Sequence, residues 1–157
     1  MALVIDLRPP DAAGPLRIGS ERTDLVRALR EFGEPRLVTT APGRAPSWAV
    51  DRSSGLTIRC HLDRIGHLHA VEFGRPANDA DSVRYQGLDV FGTPASQFVA
   101  ALRRHTAVIE ENHGYAYVAP DLLLSCWRGC VPKNPDDVDG RHFDSILLAR
   151  PGYYNPS

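Results

Sequence analysis

Two stretches of the chain carry apolar residues at helical spacing, and several others alternate apolar with polar. Between Ser20 and Pro35, the residues Leu25, Val26, Leu29 and Phe32 fall on one helical face, with Ser20 as N-cap and Gly33 and Pro35 as the stop. A second helix is predicted after Thr93 as N-cap and Pro94 at the first helical position, with Phe98, Val99, Ala101 and Leu102 on its apolar face. These four match Leu25, Val26, Ala28 and Leu29 at one constant separation of 73 residues. The segments before the helices, "GPLRIGS" from Gly14 and "GLDVFGT" from Gly87, predict matching approach strands.

The strand patterns repeat in the same order. "LTIRCHL" from Leu56 aligns with "LLLSCWR" from Leu122 and sets Cys60 on Cys126. "HLHAVEFGRP" from His67 aligns with "HFDSILLARP" from His142, with His, Arg and Pro identical and Val71/Ile146 and Phe73/Leu148 both apolar. "SWAVD" from Ser47 finds a looser counterpart in "YAYVA" from Tyr115. Four elements recurring in order predict a duplication. A unit of about 70 residues has a marginal core alone, so two copies would stabilise each other. The expected class is therefore α+β: two tandem helix-plus-antiparallel-strand units forming one continuous sheet with helices on one face. The first unit, with an N-terminal strand, spans residues 1–77, a polar joint spans 78–86, and the second unit spans 87–157.

A G-P-apolar-R-apolar-G strand entering a capped helix, then three or four strands, all in tandem, resembles the beta-lactamase inhibitory protein fold over nearly the whole chain, Gly14 to Tyr154. Small outer-membrane-assembly lipoproteins use one copy of a related unit. This chain differs from the secreted inhibitors in showing neither a signal peptide nor an evident paired-disulfide set. The resemblance thus implies a cytoplasmic relative, and proteins of that kind include immunity proteins that neutralise a toxin.

Helices on one face of a sheet leave the other to solvent or a partner. Alternation puts Leu56, Ile58, Cys60 and Leu62 toward the core and Thr57, Arg59 and His61 outward. In the second copy Leu122, Leu124 and Cys126 point in, while Leu123, Ser125 and Trp127 point out. The last strand of each copy sends Leu68, Ala70 and Glu72, and Phe143, Ser145 and Leu147, outward. Leu123, Trp127, Phe143 and Leu147 would then form an apolar patch with a polar rim of Arg59, His61 and Glu72, the usual composition of a protein-binding surface. Alternatively the patch is covered by the terminal "PGYYNPS" or by a second copy.

The copies also differ in one hairpin. "DRIG" from Asp63 is short, whereas its counterpart "GCVPKNPDDVDGR", residues 129–141, is nine residues longer. Inserted loops on repeated scaffolds tend to carry function, and Asp136, Asp137 and Asp139 would suit a basic cleft such as a nuclease active site.

Composition narrows the class. At 157 residues, with 43% hydrophobic and 24% charged residues, the chain is an ordinary folded globular protein. A net charge of −1 argues against nucleic-acid binding by phosphate neutralisation. "MALVIDLRPPD" has no basic n-region, and no apolar run reaches membrane-span length, so no membrane association and a cytoplasmic location are expected. Three cysteines without framework spacing fit that compartment.

Catalytic and metal motifs fail on inspection. If Gly140 took the sixth place of a calcium loop, the first and twelfth ligand places would be Pro135 and Ile146. A zinc site from Cys126, Cys130 and His142 has three ligands and no second pair. Cys60 and His61 are adjacent in a strand and point to opposite faces. No nucleophile elbow, phosphate loop or dinucleotide fingerprint is present. No catalytic residue, metal or cofactor is expected.

The leading expectation is a non-enzymatic inhibitor, an immunity protein binding a cognate toxin encoded nearby, as a monomer or weak homodimer. Its contacts would be Arg59, His61, Leu123, Trp127, Phe143 and Leu147 on the sheet and Asp136, Asp137 and Asp139 on the loop. The alternatives are a small enzyme or ligand-binding domain using His61, His67 and His69, and a self-associating structural domain.

Overall fold

A computed structural model describes residues 2–39, 42 and 46–150. β1 (Leu3–Arg8), β2 (Ala12–Ala13) and β3 (Leu16–Arg17) precede α1 (Arg22–Leu29). β4 (Arg36–Val38), β5 (Ser47–Asp51), β6 (Thr57–Leu62) and β7 (Leu68–Gly74) follow. The second half contains β8 (Asp81–Tyr85), β9 (Leu88–Asp89), α2 (Ala95–Arg103), β10 (Ile109–Glu111) and β11 (Ala116–Ala119). It closes with β12 (Leu124–Trp127) and β13 (Ser145–Ala149), and 3-10 turns lie at Asn112–Gly114 and Pro120–Leu122.

Both helices form where the apolar spacing places them, each starting later than the expected cap. Glu21 and Pro94 are the N-caps, and the Ser20 hydroxyl instead donates to the Arg17 carbonyl at 2.7 Å. The helices bury Leu25 and Leu29, and Ala95, Phe98, Val99 and Leu102. Gly33 is needed after α1 for close approach, since a Cβ there would lie 2.9 Å from Val50 Cγ1.

The fold is α+β, as expected, but its strands divide between two sheets. An eight-stranded sheet has the order β10-β11-β12-β13-β7-β6-β5-β4, antiparallel throughout, with β13 and β7 paired at its centre. A five-stranded sheet has the order β3-β2-β1-β8-β9, and its central pair, β1 and β8, is parallel. One continuous sheet is therefore not what forms. The approach segments make the two-residue strands β3 and β9 at the edges of the small sheet, and β2, β1 and β8 join them into a layer of their own.

Residues 78–86, read as a polar joint, contain β8, four of whose five residues are buried. Asp81 disguises it. Its carboxylate accepts from Arg52 Nε at 2.8 Å and Arg52 Nη2 at 3.1 Å, from the Ser54 hydroxyl at 2.5 Å and from the Leu3 backbone N–H at 2.9 Å. Bonding to Arg52 first, and to Ser54 and Leu3 after it, outweighs the opposing effect of burial and holds the Asp81 carboxyl below the usual range.

One core joins these layers. Val50, Ile58, Cys60, Val71 and Phe73 from one half of the large sheet, and Leu124, Cys126, Ile146 and Leu148 from the other, pack with the helices. Ile5, Leu7, Val83 and Tyr85 bring the small sheet into the same cluster. Burial raises the Cys60 thiol to about 12 and lifts Cys126 as well, so both are inert apolar fillers.

Candidate functional site: the open sheet face

The helices and the small sheet share the inner face of the large sheet, so its outer face is defined by strand register. Across the centre, Leu147 stands opposite both Glu72 and Ser125, Ser125 opposite Val118, and Val118 opposite Ile109. The next row runs Gly74, Ser145, Trp127, Ala116 and Glu111. Together these rows line an open groove of about 800 Å³ with Trp127, Leu147, Ala116 and Val118 as its apolar floor. Glu72 and Glu111 stand at its two ends. Further along the central strands, Ala70 and Ala149 face each other and are buried, which confines the opening to the end near Trp127.

Trp127 is held by its backbone. Asp144 donates its N–H to the Trp127 carbonyl at 2.8 Å and accepts from the Gly129 N–H at 2.7 Å. The same carboxylate pairs with Arg75 Nη2 at 3.1 Å. Gly129 lies beside the ring, where a Cβ would sit 3.4 Å from Trp127 Cη2, in ordinary van der Waals contact. The indole is 50% exposed, a large apolar area to leave in water.

On the other half of the face the register continues from Glu72 to Arg59 and Ala49, and from Ala70 to His61 and Ser47. Arg59 is exposed, and His61 is half-buried with Nδ1 2.9 Å from the Ser47 hydroxyl. Burial first, then the charges of Arg59 and His69, lower the His61 pKa. This half is polar, as the alternation predicts.

Four expected surface positions are corrected: Ala70 keeps its outer-face register but is fully buried, and Phe143, Leu123 and Leu68 leave that face. Phe143 precedes β13, so strand alternation does not govern it. Its ring is fully buried, edge-on to Phe98 at 6.2 Å and Tyr117 at 5.9 Å. Leu123 lies outside β12, with φ of 54° at the end of a 3-10 turn, and packs half-buried against the core. Leu68 turns inward because a register shift opposite His61 and Leu62 pairs Leu62 with Leu68 and leaves His69 as the extra residue. That bulge also breaks the regular alternation expected to align His67 with His69.

The acidic loop sits elsewhere. The buried Arg128 guanidinium donates from Nε to the Gly114 carbonyl at 2.8 Å and from Nη1 to the Gly140 carbonyl at 3.0 Å. The Ala95 N–H at the start of α2 donates to the Arg141 carbonyl at 2.7 Å, tying the loop to the helix side. A second cavity of about 630 Å³ opens there, with Lys133, Asp137 and Arg141 in its wall. Asp136 and Asp139 are exposed, while Asp137 accepts from the Lys133 backbone N–H at 3.2 Å. Trp127 and Leu147 are brought together; none of the three aspartates lines their groove.

Glu111, Ala116 and Val118 were missed as groove residues. No strand is evident in the sequence at 109–111, although the 73-residue helix separation, carried on, would pair it with Arg36–Val38.

Among the described residues no group of three or more His, Cys, Asp or Glu side chains is arranged to hold a metal, so Cys126, Cys130 and His142 do not converge. No helix among them is long and apolar enough to cross a membrane. A cover supplied by 151–157 lies outside the described residues.

No family model matches the chain, and no curated protein matches its sequence. The chain is similar in structure to the uncharacterised protein YfeY from Escherichia coli, with a TM-score of 0.53 and 13% identity over 96% of this chain and 100% of that one. The likeness concerns the fold alone.

Proposed function

We propose that this protein is a non-catalytic inhibitor, an immunity protein of duplicated beta-lactamase-inhibitory-protein-like architecture that binds a cognate toxin through the open sheet face. The observation that carries this reading is the half-exposed Trp127 in the floor of an apolar groove, on a sheet whose other face packs with both helices in the core. Aromatic anchors in concave, partly apolar surfaces dominate protein-binding energetics.

The duplication is supported by register. Ala13 pairs with Leu16 and Tyr85 with Leu88, hairpins 72 residues apart. The Arg75 N–H donates to the Asp144 carbonyl and the Arg150 N–H to the His69 carbonyl, both at 2.8 Å, and both pairs of equivalent residues are 75 apart. The halves differ on the open face: Trp127 and Leu147 stand in one where Arg59, His61 and Glu72 stand in the other. Partner binding accounts for that divergence, because the core positions on the other face stay apolar in both.

The test is co-expression of the tagged protein with the products of the genes flanking its own. A stoichiometric complex with one neighbour that is toxic alone, lost on Trp127→Ala, is the expected result. If no neighbour is toxic and none co-purifies, the inhibitor reading fails.

A further inference from the structure

The groove carries charge as well as apolar surface. Glu72 on β7 and Glu111 on β10 stand at its opposite ends, with Leu147, Val118, Ala116 and Trp127 between them. Among the described residues neither carboxylate takes part in an ion pair or side-chain hydrogen bond. Arg59 stands across from Glu72 in register, yet no ion pair joins them. An occupant that covered the floor would strip water from both carboxylates, which is costly unless it brings its own cations.

From this we infer that the groove receives an extended segment of a partner protein bearing a basic residue at each end and an aromatic or aliphatic side chain between them. This rests on the inhibitor reading above and specifies the partner's chemistry. From β7 to β10 there are four strand spacings, about 20 Å when the offset along the strands is included. An extended chain covers that span in about six residues, so the two cations are expected at i and about i+6, crossing the strands over Leu147 and Trp127. An apolar segment without the cations leaves two buried carboxylates unpaired. An acidic segment adds repulsion to that cost.

Selection of displayed random twelve-residue peptides on the intact protein tests this, with clones compared on Trp127→Ala and on the double variant Glu72→Gln/Glu111→Gln. All three substituted side chains reach the surface, and circular dichroism confirms that each variant folds. The expected clones lose binding on Trp127→Ala, carry Lys or Arg pairs five to seven positions apart around an apolar residue, and bind the double variant about tenfold more weakly. Clones that need Trp127 but show no basic pairs overturn the inference and leave the inhibitor reading standing. A lack of any Trp127-dependent clone overturns both. Sedimentation showing a dimer that Trp127→Ala dissociates makes the occupant a second copy of this chain and overturns the inference.

Discussion

Glu72 and Leu147 stand directly opposite each other on β7 and β13, the central pair of the eight-stranded sheet. They are 75 residues apart, the same separation that sets Val71 on Ile146 and Phe73 on Leu148 in the sequence. Because the two strands are antiparallel, Val71 pairs across the centre with Leu148, and Phe73 with Ile146. The pairing centres on a carboxylate and a leucine. It brings a charged half-face and an apolar half-face together along one line.

Trp127 lies on the apolar side of that line. Replacing it with Ala is expected to cost about 2 kcal/mol of partner affinity. Its exposure makes the effect on folding small, within about 0.5 kcal/mol. Calorimetric titration against the partner and a thermal melt separate the two; a large fall in melting temperature with unchanged affinity would assign Trp127 to the core.

Phe143 should behave in the opposite way. Its ring fills space between Phe98 and Tyr117, so Phe143→Ala leaves a cavity and is expected to destabilise the fold by about 3 kcal/mol in urea denaturation. A loss near zero would return Phe143 to the surface.

Asp81 joins β1, β8 and the turn after β5 through one carboxylate. Asp81→Asn leaves the Arg52 charge without its buried partner, and a loss of about 3 kcal/mol is expected. The folded-state pKa lies below the ordinary value of 3.8, so this stabilisation is complete above that value and is lost as pH falls through the folded-state pKa. Stability measured between pH 6 and pH 2 should therefore fall more steeply for the natural protein than for Asp81→Asn. Parallel curves would show that Asp81 is not the group responsible.

The long loop is fixed by Arg128 and Gly140. Gly140 has φ of 77°, and a Cβ there would sit 2.0 Å from the Cys130 carbonyl oxygen. Gly140→Ala must displace that backbone, and faster amide exchange across residues 129–141 is expected, with global stability falling by about 1 kcal/mol or more. Unchanged exchange would mean that the loop tolerates the side chain.

Whatever depends on near neighbours along the chain is legible in the sequence. Leu25 and Leu29, or Phe98 and Leu102, mark the buried helix faces because a helix repeats every few residues. Ile58 and Cys60, or Leu124 and Cys126, mark the inner sheet face because a strand alternates. Partners far apart in the chain are a different matter. The parallel pairing of β1 with β8 turns an apparent linker into a buried strand, and Arg52, with the Ser54 hydroxyl and the Leu3 N–H, makes Asp81 tolerable there. Phe143 and Leu68 leave the alternation because a strand end and a bulge are set by the strand opposite. The groove needs Glu111 and Val118 beside Trp127, and that neighbourhood exists only once β10, β11 and β12 are in register. Periodicity is encoded residue by residue; register and burial are settled by the chain's distant parts competing for the same core.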